Sequence, residues 1–278
     1  MSPLYPQPLV RDQAGILANG TFGLWLRGTS FNTSGKGPDP WQREINGTST
    51  MTVSQGSGIF PAGSVDSLQS AYVQGTQTSR VFQAYQDWHQ AAGKTVTFRA
   101  YVQTSTASAV RLGIYDGVTR TYGSYHPGDG ATHQLIVQAV INASPTLLNF
   151  EMWNEATGTH IMDAADAFPF AVGLANPEFW ETTPYVAKFE TLKYYQQIPI
   201  DLSLYANRNN QTFTLKVPFL RDMYGTPSVS TFTTGTRTNV NTITYAVTNS
   251  YGGTITLVSQ DPGDVVVSGD VIALESYP

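Results

Sequence analysis

Arginine, glutamate and aromatic side chains alternate with apolar ones along several strand-like stretches of this chain, a pattern suited to holding sugars. Arg99 and Tyr101 share one side of residues 96–103, Arg111 and Tyr115 one side of residues 110–115, and Glu151 and Trp153 one side of residues 148–153. Trp88 and His126 stand in flanking loops. Flat aromatic faces cover the axial C–H patches of a pyranose, while Arg and Glu direct hydrogen bonds to its hydroxyls. The competing reading of Trp153 and Tyr101 is packing, beneath a loop or against a neighbouring domain.

Other chemistries find less support. Hydrolysis of a glycan needs two carboxyl groups roughly 5 to 10 Å apart, and Glu151 with Glu155, or Asp163 with Asp166, are the pairs to nominate. Asp261 and Asp264 show how readily a loop produces the same spacing, so no catalytic residues are assigned. His89, His126, His133 and His160 are scattered without a His-x-x-x-His pattern, and no metal site is expected. There is no G-x-S-x-G elbow and no phosphate-binding glycine loop, so no cofactor is expected. With no cysteine, disulfides and thiol catalysis are excluded.

The elements that must position these residues are strands. Val96, Phe98, Ala100 and Val102 alternate with Thr97, Arg99, Tyr101 and Gln103 at the two-residue period of a pleated strand. The same period recurs around Val110, Leu112 and Ile114, around Leu135, Val137, Ala139 and Ile141, and around Leu148, Phe150 and Met152. Phe22, Leu24 and Leu26 suggest an earlier strand. Strands separated by turns, without alternating helices, predict an all-β fold: an N-terminal jelly-roll β-sandwich and, after a short helical connector, a C-terminal β-sandwich.

The connector is read from Thr183-Pro184, an N-cap followed by proline at the first helical position, with Phe189, Leu192 and Gln196 on one side before Ile198-Pro199 ends the run. The expected organisation is an arm over residues 1–18, with three prolines, a jelly roll over 19–180, the helix over 181–199 and the second β domain over 200–278. Gly252-Gly253 is expected to form a two-residue hairpin turn.

Composition limits the partners. Of 278 residues 13% are charged, the net charge is −5, and no Lys/Arg run is present, which argues against nucleic acid and acidic membranes. No apolar stretch approaches the roughly 20 residues that span a bilayer, and the start shows no classical signal, so synthesis in a cytoplasm is expected. Between Asp222 and Asp261 Arg237 is the sole charged residue. Edge strands usually carry charges against edge-to-edge pairing, so part of that surface is expected to be covered by another subunit.

Four segments then carry a resemblance. Asn19-Gly20-Thr21-Phe22-Gly23-Leu24-Trp25-Leu26-Arg27-Gly28-Thr29-Ser30-Phe31 resembles an opening motif common in bacteriophage tail-fibre and other virion-surface proteins. Residues 92–102 resemble a strand of the same modules, residues 171–174 and 182–185 their closing strand, and residues 190–196 their connector; Val217-Pro218-Phe219-Leu220-Arg221 and Thr226-Pro227-Ser228-Val229 resemble the signature of a fibre-tip domain. The resemblance implies a jelly roll similar to carbohydrate-binding modules and a homotrimer-forming C-terminal domain. It implies a place in the virion beside other phage proteins, and a host cell-surface glycan as ligand. Gly23 stands where an acidic residue is common, which removes support for a calcium site like that of related sugar-binding modules. Three roles are expected in descending order: a non-enzymatic tail-fibre or receptor-binding protein, a capsid decoration protein that clamps capsomers, and a glycan-degrading tailspike.

Overall fold

A computed structural model describes residues 16–17, 19–23, 25–26, 28–32, 35, 37–38, 40–60, 65–168, 195–220, 223 and 226–276. Two compact units divide at Ala187 and Lys188. Most of the expected arm, and the expected helix up to residue 194, lie outside the described residues.

In the first unit eleven strands run β1 (Ser30–Phe31), β2 (Gln42–Glu44), β3 (Thr50–Ser57), β4 (Asp66–Val73), β5 (Ser79–Ala84), β6 (Thr95–Gln103), β7 (Val110–Tyr115), β8 (Arg120–Tyr125), β9 (Thr132–Val140), β10 (Asn149–Asn154) and β11 (Gly158–Phe168). They form a six-stranded sheet, β1-β3-β4-β11-β6-β9, and a five-stranded sheet, β2-β5-β10-β7-β8. The pairings are antiparallel. Strands that alternate between layers in this way make a jelly-roll sandwich. The apolar positions read from the alternation line its core: Val96, Phe98, Ala100 and Val102 are buried in one layer, and Leu112, Ile114, Phe150 and Met152 in the other. Phe98 meets Phe150 between the layers at 5.5 Å.

The opening motif begins as a turn, and its end, Ser30–Phe31, is strand. Asn19 and Phe22 both adopt left-handed backbone, with φ of 51° and 54°, and the chain there turns rather than extends. Gly20 is pressed against β11: its carbonyl accepts the Ala165 N–H at 3.0 Å, and a Cβ on it would lie 1.9 Å from the Ala165 oxygen. Ala165 sits in a bulge of β11, between Asp163 and Asp166, where Ala164 also has positive φ. Phe22 is fully buried against Trp41, 5.3 Å away. Phe22, expected to open a strand, is thus an anchor in the core instead. The arm also ends earlier than expected: Leu17 is buried in the core, and the Ile16 N–H bonds the Ala167 carbonyl.

The second unit contains β12 (Tyr195–Ala206), β13 (Thr212–Pro218), β14 (Ser228–Thr233), β15 (Thr236–Thr238), β16 (Val240–Asn249), β17 (Gly252–Ser259) and β18 (Gly263–Glu275). One sheet runs β12-β18-β14, with β15 also on β18, and the other runs β13-β17-β16. Residues 195–199, expected to close the helix, are strand, because Tyr195 to Pro199 pair residue by residue with Glu275 to Val271. Pro199 tolerates this at a sheet position that needs no N–H donor. The hairpin turn is Ser250-Tyr251, not Gly252-Gly253, since Asn249 pairs with Gly252. The glycines are there for close approach: a Cβ on Gly253 would lie 2.4 Å from the Tyr245 hydroxyl, and one on Gly252 2.8 Å from the Val217 oxygen. Arg237 is held by Asp270, which is fully buried and accepts from Arg237 Nη2 at 2.8 Å and from the Gly235 N–H at 2.6 Å.

Candidate functional site

The outer face of the five-stranded sheet gathers four of the nominated residues. Register places Trp153 beside Arg111 and Arg80, Glu151 beside Gly113 and Phe82, and Asn149 beside Tyr115 and Ala84. On the far side β8 contributes Arg120 opposite Tyr115, Tyr122 opposite Gly113 and Tyr125 opposite Arg111. Gly113 leaves room for this: a Cβ there would already touch Glu151 and Trp153 at 3.4 Å.

Glu151 is the hub. It is fully buried, and its carboxylate accepts from Arg80 Nη1, from Arg120 Nε at 2.9 Å and from the Trp153 indole N–H at 2.6 Å. Arg80 also donates to Glu44, from Nη2 at 2.6 Å. Beside this network Arg111 Nε donates to Glu155 at 2.8 Å, and the Tyr125 hydroxyl donates to the other Glu155 oxygen at 2.5 Å. That hydrogen bond raises the Tyr125 pKa above the ordinary phenol value. Three guanidiniums and three carboxylates therefore neutralise one another across the face.

Aromatic rings hold the guanidiniums flat. Arg111 lies 3.7 Å from the Tyr122 ring centre and 4.7 Å from that of Tyr125. Arg120 lies 4.1 Å from Tyr115 and 5.1 Å from Trp153, and Arg80 4.8 Å from Phe82. Such cation–π stacks gain strength where water is partly excluded. Tyr122 and Tyr125 remain 37% and 39% exposed, so rings stand outermost and the ions beneath them fix their pose. Trp153, only 7% exposed, is a wall of the network rather than a platform for sugar.

The other nominated residues lie elsewhere. Arg99, on the six-stranded sheet, is buried and paired through Nε and Nη2 with Asp166 at 2.6 and 2.7 Å, with the Phe168 ring 5.1 Å away. Tyr101, on the same sheet, is half-buried and meets Phe60 edge-on at 4.9 Å. Trp88 belongs to a single 3-10 turn, Trp88–Ala91, and packs on the core. His126 is buried among backbone groups: its Nδ1 accepts from the Gly128 N–H at 2.9 Å, so Nε2 carries the proton and faces the Val102 and Ala131 carbonyls at 3.1 and 3.2 Å. Arg99 and His126 are accordingly buried and committed to groups of the protein itself.

The nominated acids are occupied too. Asp163 accepts the Ile59, Phe60 and Ala164 N–H groups at 2.8, 2.9 and 2.6 Å, which caps a neighbouring loop. Contrary to the scattered look of the histidines in sequence, His126, Asp129 and His133 bring ligand-type atoms within 4.8 Å of one another. Yet neither His126 nitrogen has a free lone pair, and the His133 Nε2 already lies 2.9 Å from Asp129. The trio is short of the three available donors that a metal centre needs.

Sequence reading missed Arg80, Phe82, Arg120, Tyr122 and Tyr125, and met Glu155 only as half of a possible hydrolytic pair. Alternation in Ser79–Ala84 could have found the first two. Tyr122 and Tyr125 are three residues apart, and a shift of register between Arg111 and Gly113 puts them on the same face. A bulge of this kind breaks the two-residue period on which the reading depends.

No family model matches the chain, and no curated protein matches it. Among solved structures, the enzymatically active domain of bacteriophage CBA120 tailspike protein 4 aligns at 9% identity and TM-score 0.38, covering 56% of this chain and 21% of that one. This chain thus spans about a fifth of that tailspike domain. A xylan-binding domain from CBM 22 aligns at 18% identity and TM-score 0.40, covering 58% and 99%. The CBM22-1 xylan-binding domain of Paenibacillus barcinonensis Xyn10C aligns at 14% and 0.39, covering 57% and 98%. The assignment of a jelly-roll sandwich stands on the strand order itself.

Proposed function

We propose that the first unit binds glycans on the outer face of its five-stranded sheet, and that the chain is a non-enzymatic receptor-binding protein of a phage virion. The observation that carries the glycan reading is the pair Tyr122 and Tyr125, held open to solvent over a guanidinium and locked by a buried ionic network. Pre-set rings and donors lose little entropy on binding, which suits a ligand as weakly held as a sugar. The virion reading is supported by the ordered motifs at 19–31, 92–102, 190–196 and 217–229. The non-enzymatic reading is supported by the engagement of Glu151 and Glu155 with cations, an indole and a phenol, which leaves neither of these two carboxylates without a partner.

The second unit assembles the protein into a homotrimer. Phe213, Leu215 and Val217 on β13, and Ile243, Tyr245 and Val247 on β16, stay half-buried rather than sealed. Leu220 and Tyr251 are 65% and 61% exposed at the end of the sheet where the Phe219 N–H meets the Tyr251 carbonyl.

A glycan array probed with the whole chain tests the binding reading. Tyr122→Ala and Tyr125→Ala are expected to lower the signal at least tenfold in protein that a thermal melt shows to be folded. Undiminished binding in both variants moves the site off this face, and no binding by the unaltered protein rejects the reading.

A further inference from the structure

The hydrogen-bonding groups that the face turns outward are unequal in kind. Both oxygens of Glu151 are engaged by Arg80, Arg120 and Trp153, and both oxygens of Glu155 by Arg111 and Tyr125. Every carboxylate oxygen at the centre of the face is therefore already engaged. Donors are not. Among the described residues Arg111 bonds only through Nε, its two terminal nitrogens have no hydrogen-bond partner, and its side chain is 23% exposed. Arg111 is also the guanidinium gripped most closely, by Tyr122 on one contact and Tyr125 on the other, so its orientation is fixed before any ligand arrives.

Sugar hydroxyls donate as well as accept. A surface that offers mainly N–H donors leaves hydroxyl protons without partners in the contact, and each such loss weakens binding. A carboxylate has the opposite character: acceptors only, planar, and spaced to take two parallel N–H groups from one guanidinium. Glu155 does not repel it strongly, because the Glu155 charge is already shared by Arg111 Nε and the Tyr125 hydroxyl.

Building on the glycan-binding reading, we propose that this face selects glycans bearing a carboxylate, seated on the two terminal nitrogens of Arg111. The Tyr122 ring then covers the sugar, and the Tyr122 hydroxyl serves its hydroxyls.

The test uses the whole chain with oligogalacturonate, hyaluronan oligomers and sialyllactose, each beside its carboxyl-reduced form, and with neutral xylo- and cello-oligosaccharides. At least one acidic glycan is expected to bind tenfold or more tighter than its reduced form. Arg111→Gln should abolish that difference, and Arg111→Lys should restore only part of it, because an ammonium lacks the fork. Equal affinity for acid and reduced forms, or binding confined to neutral glycans, overturns the proposal while glycan binding itself stands. No binding to any probe overturns both. The comparison of acid and reduced glycans on the unaltered protein decides the matter even where Arg111→Gln fails to fold.

Discussion

A carboxylate that holds two guanidiniums and an indole cannot be neutralised without leaving those donors stranded. Glu151→Gln is expected to destabilise the first unit by about 3 kcal/mol, because removing one partner of a buried ionic network leaves uncompensated charge. A thermal melt reads this directly. A catalytic Glu151 would instead give a variant of nearly normal stability. His160 makes a second prediction at this scale. It is fully buried, with Nδ1 2.9 Å from the Thr104 hydroxyl and Nε2 3.0 Å from the Ala156 carbonyl, and burial lowers its pKa below the ordinary 6.5. Burial, followed by the nearby His133, lowers that of His126 in the same direction. In this window the unfolded chain binds protons that the folded one refuses, so stability is full above about pH 6.5 and falls as the pH drops below it. The carboxylates held low, Glu44 and Asp116, contribute only at more acidic pH. Denaturant melts between pH 7.5 and 5 should show that slope, and His160→Gln should flatten it by about one proton. An unchanged slope in the variant would assign the effect to other groups.

At the scale of elements, irregular backbone decides what periodicity can reveal. The cores of β6, β7, β9 and β10 are legible because each keeps a strict two-residue period, and one sheet face must then be apolar. The period puts Arg99 on the correct side of β6, but it cannot say that this side is covered and that Asp166, across the β11 bulge, neutralises the guanidinium. The binding face is half legible for a similar reason. Arg111, Tyr115, Glu151 and Trp153 sit on regular strands, whereas Tyr122 and Tyr125 meet through a register shift that only the pairing discloses. Asn19 and Gly20 look like turn composition in the sequence, yet they join the start of the sandwich to its last strand. Gly20→Ala should therefore cost more than an ordinary loop substitution, about 1–3 kcal/mol, since its Cβ would overlap the Ala165 carbonyl and one of the two backbones must shift. Gly23→Ala, with nothing within 4 Å of the added carbon, is the control and should melt like the parent.

For the whole molecule the question is how a weak sugar contact becomes a firm attachment. On the proposed reading, a single face with two exposed tyrosines would bind with modest affinity, and copies joined in one trimer would make each later contact intramolecular, raising avidity by about 10²–10⁴ without any new contact. The uncharged run from Met223 to Gln260, broken only by Arg237, is where copies of the chain would meet, because neither repulsion nor desolvation of charge opposes burial there. Light scattering of the whole chain is expected to give three times 30.2 kDa. Leu220→Lys with Tyr251→Lys, both at exposed positions, should yield a folded monomer that binds a soluble oligosaccharide as the parent does. On a glycan-coated surface it should release faster and lose most of the avidity. A parent that scatters as a monomer removes the trimer. A trimer that survives both lysines moves its interface away from these two side chains.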